Sequence, residues 1–201
     1  MLIGSGTHTQ PSAWPDIPAV AGTIADLART LVARCGVRPE ETLISLLDPT
    51  DPMRLYAELS VAAHEATDVL VLYYIGHGVL DVDMQLHLST RATDHLTEQR
   101  YKALPYQYVR DILGTCTART IVVVLDCCFA GSAQVSFAQP ASEAFKLDAA
   151  TGAYLLSAAA PTQAAYAPPG DGHTAFTGAL IRLLEDGDPL EGPAWDCPEF
   201  G

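Results

Sequence analysis

Two short segments of the chain carry side chains suited to nucleophilic catalysis. His77 lies in the sequence Tyr-Ile-Gly-His-Gly, and Cys128 lies in the sequence Asp-Cys-Cys-Phe-Ala-Gly. A thiol has a reference pKa of about 8.5 and is mainly protonated at neutral pH, so a nucleophilic cysteine needs an imidazole that takes its proton. His77 and Cys128 are therefore candidates for a base and a nucleophile.

Each of these segments follows a strongly apolar stretch of the kind that forms a buried strand. Val69 to Ile75 precedes His77, and Ile121 to Leu125 precedes Cys128. In an open parallel sheet the carboxyl ends of the strands share one edge, where such folds build their sites. We therefore expect His77 and Cys128 to meet at that edge, with the backbone N–H groups of Gly78 and Cys128 forming an oxyanion hole.

The order of the remaining elements predicts an α/β fold. Further apolar runs, typical of strands covered on both faces, are Met1 to Ile3, Leu43 to Leu47 and Tyr154 to Ala158. Segments with helical spacing are Pro18 to Arg34, Pro52 to Ala66, Pro105 to Leu113 and Thr174 to Leu184. This alternation predicts a mostly parallel central sheet with helices on both faces. A chain of 201 residues suits a single domain, which we assign to residues 1–186, followed by a short tail rich in Pro, Gly and acidic residues at 187–201.

The composition and the N-terminal sequence indicate which kinds of binding partner and which cellular location to expect. The formal net charge of −13 disfavours binding to nucleic acids and to anionic membrane surfaces. No basic region followed by a long apolar stretch is present at the N-terminus, so the sequence predicts neither a secretory signal nor a membrane span, and we expect a cytoplasmic location. Five irregularly spaced cysteines indicate free thiols rather than a disulfide framework.

Together, the two segments resemble those of the caspases, the metacaspases and their bacterial relatives, and they are closest in style to bacterial caspase-domain proteins. In caspases the histidine precedes the cysteine by about 50 residues, and His77 precedes Cys128 by a similar interval. The resemblance extends to Ser157–Tyr166, similar to a strand and pocket loop of the bacterial members, and to Thr174–Leu180, similar to their next helix. It implies a caspase-like fold and the activity of a cysteine endopeptidase.

The same resemblance implies roles for individual residues. Cys128 matches the nucleophile, His77 matches the base, and Asp126 matches the metacaspase aspartate that lines the primary specificity pocket. A buried carboxylate prefers a cationic partner, so this match implies cleavage after Arg or Lys. Asp26 matches a second pocket carboxylate more loosely. Two further candidates for substrate binding are Ser157 and Gln163.

Several residues near the pair have a second interpretation. Cys127 is expected to pack inward as a small hydrophobe, because successive residues at a strand end point in opposite directions, and it is the second candidate nucleophile. Asp126 could instead cap a turn. Asp81 and Asp83 indicate either a cation site or an exposed acidic turn. The histidines and cysteines lack metal-ligand spacing, so we predict no metal and no cofactor, and the sequence leaves a calcium requirement open.

Two other functions compete with peptide cleavage. A catalytically silent caspase-like module would act in signalling or assembly, since a fold alone does not establish an activity, but the presence of both His77 and Cys128 favours catalysis. A nucleotide-binding domain would need a longer glycine-rich loop than Gly4-Ser5-Gly6-Thr7. The peptidase interpretation implies a protein or peptide substrate with a basic residue before the cleaved bond, and it allows a regulatory partner protein.

A last expectation concerns cleavage of the chain by itself. The stretch from Gly131 to Gly152 is longer than most connections, so we expect an exposed loop there. Relatives with this fold are often cut in that region. Lys146 is the only Lys or Arg between Cys128 and Arg182. An enzyme specific for basic residues would therefore process itself after Lys146, and the alternative is that Lys146 is a solvated surface residue.

Overall fold

The computed structural model describes residues 1–94, 102–128, 153–158 and 172–187. Within these ranges the chain forms eight strands and four helices. The strands are β1 (Leu2–Gly4), β2 (Ser45–Leu47), β3 (Val69–Ile75), β4 (Gly78–Leu80), β5 (Leu86–Ser89), β6 (Ala103–Pro105), β7 (Thr120–Asp126) and β8 (Ala153–Ser157). The helices are α1 (Ala19–Arg34), α2 (Pro52–Glu65), α3 (Tyr106–Leu113) and α4 (Ala175–Asp186). The predicted loop at 131–152 and the tail beyond residue 187 lie outside the described residues.

Five of these strands form a parallel sheet with the order β2-β1-β3-β7-β8. Its two longest strands, β3 and β7, are neighbours and pair through seven residues each, from Val69 opposite Thr120 to Ile75 opposite Asp126. The two strands that precede the candidate histidine and cysteine therefore end at the same level. This sheet confirms the α/β fold that the alternating pattern predicted.

The sheet is covered on both faces, as its continuous apolar strands predicted. Side chains of β3 alternate between two cores: Leu72 and Tyr74 pack in one, while Tyr73 and Ile75 pack in the other. The first core is closed by α2 and α3, and the second by α1 and α4. The helix residues that fill the first core are Leu55, Leu59, Ala63, Val109, Ile112 and Leu113, and those that fill the second are Val20, Ile24, Leu27 and Ile181.

A second, antiparallel sheet with the order β4-β5-β6 was not predicted from the sequence. Its strands contain only three or four residues each, too few for a period of two to stand out. β4 begins at Gly78, directly after the candidate histidine. This small sheet is therefore placed to hold the histidine segment.

The helix boundaries differ from the predicted ones by a residue or two. Pro18 and Thr174 stand at the N-caps of α1 and α4 rather than inside the helices. α2 begins at Pro52, where the preceding Asp51 accepts a hydrogen bond from the N–H group of Met53. No helix in the described ranges is both long enough and apolar enough to span a bilayer.

Candidate active site

The backbone brings the histidine and cysteine segments into direct contact at the carboxyl edge of the parallel sheet. Beyond the last strand pair, the N–H group of Gly76 donates to the carbonyl oxygen of Asp126 at 3.2 Å. Two residues later, a Cβ atom on Gly78 would collide with the carbonyl oxygen of Cys128 and would lie 3.0 Å from Sγ of Cys127. Only glycine permits this approach, so the residue after His77 packs against the backbone of Cys128.

The backbone of His77 is held from two sides. Its carbonyl oxygen accepts the N–H group of Ser89 in β5 at 3.1 Å and lies 3.0 Å from the hydroxyl of Tyr74. Burial raises the pKa of Tyr74 far above its ordinary value, so this hydroxyl keeps its proton and remains a donor. The small antiparallel sheet and the Tyr74 side chain together fix the position of the histidine backbone.

The ring of His77 is oriented by a carbonyl group from the loop that joins β1 to α1. Nε2 lies 2.8 Å from the carbonyl oxygen of Pro15. A carbonyl oxygen only accepts, so this bond requires the hydrogen of the neutral ring on Nε2 and leaves Nδ1 as the basic nitrogen. This role of Pro15 could not be predicted from its side chain, because the contact is made by its backbone carbonyl.

Burial lowers the pKa of His77, and the Pro15 carbonyl and the Asp16 carboxylate oppose part of that effect. The ring packs beside two others, with centroid distances of 5.3 Å to His8 and 5.6 Å to Trp14. His77 is consequently neutral at pH 7, which is the form that can accept a proton from a thiol.

The two adjacent cysteines lie in different environments. Cys127 is 0% exposed and belongs to the core between the sheet and helices α2 and α3. Burial raises its pKa well above the ordinary value, so its thiol stays protonated. Cys128 is only half-buried. Cys127 thus packs inward as the alternation predicted, and of the two thiols Cys128 is the accessible one.

Asp126 ends β7 with a carboxylate that is almost fully enclosed. The residue is 3% exposed, and its Oδ2 atom accepts hydrogen bonds of 2.6 Å from the hydroxyls of both Thr174 and Thr177. The hydroxyl of Tyr73 lies 2.8 Å from that of Thr177. In the described part of the chain no Lys, Arg or His pairs with Asp126, so its hydrogen-bond partners there are two neutral hydroxyl groups. The contacts of Thr174 and Thr177 with Asp126 were not predicted from the sequence.

Asp26, the second predicted pocket carboxylate, lies on α1 and has partners of its own. Its Oδ1 is 2.7 Å from the guanidinium of Arg29, and its Oδ2 is 2.7 Å from Nε2 of His173. These contacts, led by the hydrogen bond to His173, lower the pKa of Asp26. Thr174 directly follows His173 in the chain. The contact of Asp26 with His173 therefore helps to hold Thr174 in the position where it donates to Asp126.

Of the two other residues predicted to bind substrate, Ser157 and Gln163, Ser157 lies in the described part of the chain. Ser157 is the last residue of β8 and is paired with Leu125, the residue before Asp126. It therefore lies on the same edge of the sheet as the candidate pair. Gln163 and Lys146 lie outside the described residues.

The segment that contains Asp81 and Asp83 forms a turn that the side chain of Asp81 stabilises. Asp81 is not exposed: its side chain accepts the backbone N–H groups of Asp83 and Gln85 at 2.9 Å each and lies 3.2 Å from Nε2 of His87. It holds the turn between β4 and β5. Among the residues that the structure describes, no three His, Cys, Asp or Glu side chains come together as metal ligands would.

Comparison with known proteins assigns the chain to a family that is consistent with this geometry. No curated protein matches the chain. The family model for the caspase domain matches residues 25–192. That span contains β3, β7 and α4, with His77, Cys128 and Asp126 at the same sheet edge. The chain therefore belongs to the caspase-domain family of cysteine peptidases.

Proposed function

We propose that this protein is a cysteine endopeptidase in which Cys128 is the nucleophile, His77 is the base, and Asp126 selects Arg or Lys before the cleaved bond. The observation that carries the proposal is the contact between Gly78 and the Cys128 backbone, which brings the residue after the base against the residue that holds the nucleophile. The orientation of the His77 ring by Pro15 leaves Nδ1 as the nitrogen that can accept a proton.

In the first step Nδ1 of His77 takes the proton of the Cys128 thiol, and the sulfur attacks the substrate carbonyl carbon. The negative charge that develops on the carbonyl oxygen is stabilised by the backbone N–H groups of Gly78 and Cys128. The C–N bond then breaks as the imidazolium gives its proton to the leaving amine, and the acyl group remains on sulfur as a thioester.

In the second step His77 accepts a proton from water, whose oxygen attacks the thioester carbon. The C–S bond breaks, the acid product leaves, and the proton returns to the Cys128 sulfur. His77 thus acts as base and acid in turn within each half of the reaction.

The environment of Asp126 supports a preference for a basic side chain. An enclosed carboxylate whose described hydrogen bonds come only from neutral hydroxyls favours a cation near it. Asp26 already pairs with Arg29 and His173, so we assign it a supporting role, in which it positions the segment before α4.

Peptide hydrolysis tests the proposal directly. Fluorogenic peptides ending in Arg, Lys, Asp or a neutral residue are offered to the wild type and to Cys128→Ala, with calcium added or chelated. Cys116→Ala is a matched control, because it removes a half-buried free thiol away from the site. Cleavage of Arg and Lys peptides that Cys128→Ala alone abolishes supports the proposal. A folded protein that cleaves none of them would instead favour a silent module for signalling or assembly.

Self-processing after Lys146 follows from the same specificity. The purified wild type and Cys128→Ala are incubated separately, and the ends of any fragments are identified by mass spectrometry. A cut after Lys146 in the wild type only supports self-processing. A wild type that stays intact while it cleaves peptides would refute self-processing and leave the assignment of His77 and Cys128 in place.

A further inference from the structure

The loop between β1 and α1 is closed at its base by two hydrogen bonds. The N–H group of Ile17 donates to the carbonyl oxygen of Gly6 at 2.7 Å, and the N–H group of His8 donates to Oδ1 of Asp16 at 2.9 Å. One is a bond between backbones, and the other depends on a single side chain. Asp16 therefore ties the outgoing arm of the loop to the incoming one.

Asp16 directly follows the residue that orients the histidine ring. Because Pro15 and Asp16 share a peptide bond, fixing Asp16 also fixes the direction of the Pro15 carbonyl, which lies 2.8 Å from Nε2 of His77. The loop lies before the residues that the caspase-domain model matches, and no side chain of the loop hydrogen-bonds to the His77 ring in the described residues. Any effect of Asp16 on His77 thus acts through the Pro15 carbonyl and through space.

The surroundings of His77 make a positive charge on its ring costly. The rings of His8 and Trp14 pack beside it and exclude water from those sides. His8 is 5% exposed, and neither of its ring nitrogens has a hydrogen-bond partner in the described chain. Burial and the nearby His77 lower the pKa of His8, against the opposing effects of Asp16 and Asp48, so it remains neutral.

In the part of the chain that the structure describes, the charged and titratable groups around His77 come from three segments. The β1–α1 loop contributes His8 and Asp16, the segment after β2 contributes Asp48, which acts on His8, and the end of β7 contributes Cys128. Among them Asp16 is the carboxylate that opposes the lowering of the His77 pKa, and it directly follows Pro15, whose carbonyl oxygen lies 2.8 Å from Nε2 of His77. In the proposed mechanism His77 carries a proton during cleavage, and among the described residues Asp16 is the negative charge that acts on its ring.

On the basis of the proposed peptidase function, we propose that Asp16 is a positioning residue for His77, which holds the Pro15 carbonyl in place through the His8 amide and balances the positive charge that the imidazole acquires during cleavage. The Asp16 side chain is about half exposed, so water screens its field and the effect on the rate is moderate. If Asp16 only closed the loop, removing its charge while keeping its hydrogen bond would change nothing at His77.

The test separates these two roles with Asp16→Asn, which keeps an oxygen that can accept the His8 N–H group, and Asp16→Ala, which does not. The control is Glu41→Gln, which removes one negative charge from an exposed ion pair with Arg38. The pKa of His77 is measured by NMR titration of its ring, assigned with His77→Ala. We expect the pKa of His77 to fall in Asp16→Asn and to stay unchanged in Glu41→Gln. An unchanged value in Asp16→Asn would overturn the charge-balancing role.

The kinetic measurement tests the positioning role. We expect kcat for an Arg peptide to fall about two- to fivefold in Asp16→Asn and further in Asp16→Ala, with KM little changed, because the charge matters most when His77 is protonated. An Asp16→Ala enzyme with wild-type kcat and an unchanged pH profile would overturn the positioning role. If the wild type cleaves no peptide, the proposed function fails, and the NMR titration still decides whether Asp16 acts on His77.

Discussion

Nε2 of His77 lies 2.8 Å from the carbonyl oxygen of Pro15, a residue 62 positions earlier in the chain. This bond leaves Nδ1 as the nitrogen that can accept a proton. In the proposed mechanism, a backbone carbonyl thus has the orienting task that a carboxylate performs in catalytic triads. It also places the loop between β1 and α1 beside the proposed catalytic pair, His77 and Cys128.

The pH dependence of cleavage should report the lowered pKa of His77. His77 must be neutral to accept the thiol proton, and burial holds its pKa below the ordinary value of about 6.5. The value of kcat/KM for an Arg peptide, whose guanidinium stays charged throughout this range, should therefore stay high as the pH drops through about 6.5 and decline only at lower pH. A pH profile of initial rates measures this, and an acidic limb centred at or above about 6.5 would contradict it.

Substitution of the catalytic pair should separate activity from folding. We expect Cys128→Ala and His77→Ala each to lower kcat/KM by about a thousandfold or more, because the two residues act as one unit, with little change in thermal stability. Cys127→Ala should do the reverse: it removes a sulfur from the core, which costs about 1 kcal/mol of stability, and it keeps most of the activity. Activity that disappears in Cys127→Ala and survives in Cys128→Ala would identify the other thiol as the nucleophile.

Gly78→Ala should disable the enzyme through the backbone. The added Cβ would collide with the carbonyl oxygen of Cys128, so that either β4, which begins at Gly78, or the backbone directly after β7 would have to shift. We expect loss of measurable cleavage and a lower Tm. Gly172→Ala is the matched control, since no described residue has an atom within 4 Å of a Cβ at that position. A Gly78→Ala enzyme with normal activity would show that the close approach is not required.

Asp126→Asn should remove the preference for a positive charge while preserving shape. The amide oxygen of Asn can still accept the Thr174 and Thr177 hydroxyls, so the fold should persist. We expect kcat/KM for an Arg peptide to fall by about a hundredfold relative to the matching citrulline peptide, which has the same shape without the charge. An unchanged ratio of the two rates would mean that Asp126 does not read the charge of the substrate.

The hydroxyl network under Asp126 should contribute to stability. Thr177→Val keeps the shape but removes a donor to Asp126 and leaves the buried Tyr73 hydroxyl without this partner. We expect a loss of about 2 kcal/mol in the free energy of unfolding, measured by urea denaturation. Thr177→Ser keeps the hydroxyl and should recover most of that loss. Equal destabilisation by both variants would assign the effect to packing of the threonine methyl group instead.

The central sheet, and the sheet edge at which the site lies, could be predicted from the sequence because both depend on the pattern of apolar side chains. The apolar runs before His77 and Cys128 are long enough to be recognised as strands, and parallel strands end together. The strands of the antiparallel sheet were too short to stand out. The hydrogen-bond partner of the His77 ring was not predicted, for a different reason. Every residue has a backbone carbonyl, and only the path of the loop between β1 and α1 brings that of Pro15 to the ring.

The environment of Asp126 was predictable only in part. Its place at the end of a buried strand followed from the sequence, but its partners did not, since a threonine at the start of a helix is commonly a cap. Thr174 does occupy the N-cap position of α4, yet its side chain makes no capping hydrogen bond and turns to Asp126 instead. The preference of threonine for capping a helix is thus outweighed here by a hydrogen bond to a residue 48 positions away in the chain.

The pairing of β3 with β7 should link the proposed activity to the cooperativity of unfolding. All seven residue pairs between these strands join distant parts of the chain, so the contact between the histidine and cysteine segments forms only after a long loop has closed. No short fragment of the sequence contains both halves of the site. The catalytic pair should therefore not survive in a partly folded state that lacks this ladder, and peptidase activity and the slowest-exchanging amides of β3 and β7 should disappear in one denaturation transition.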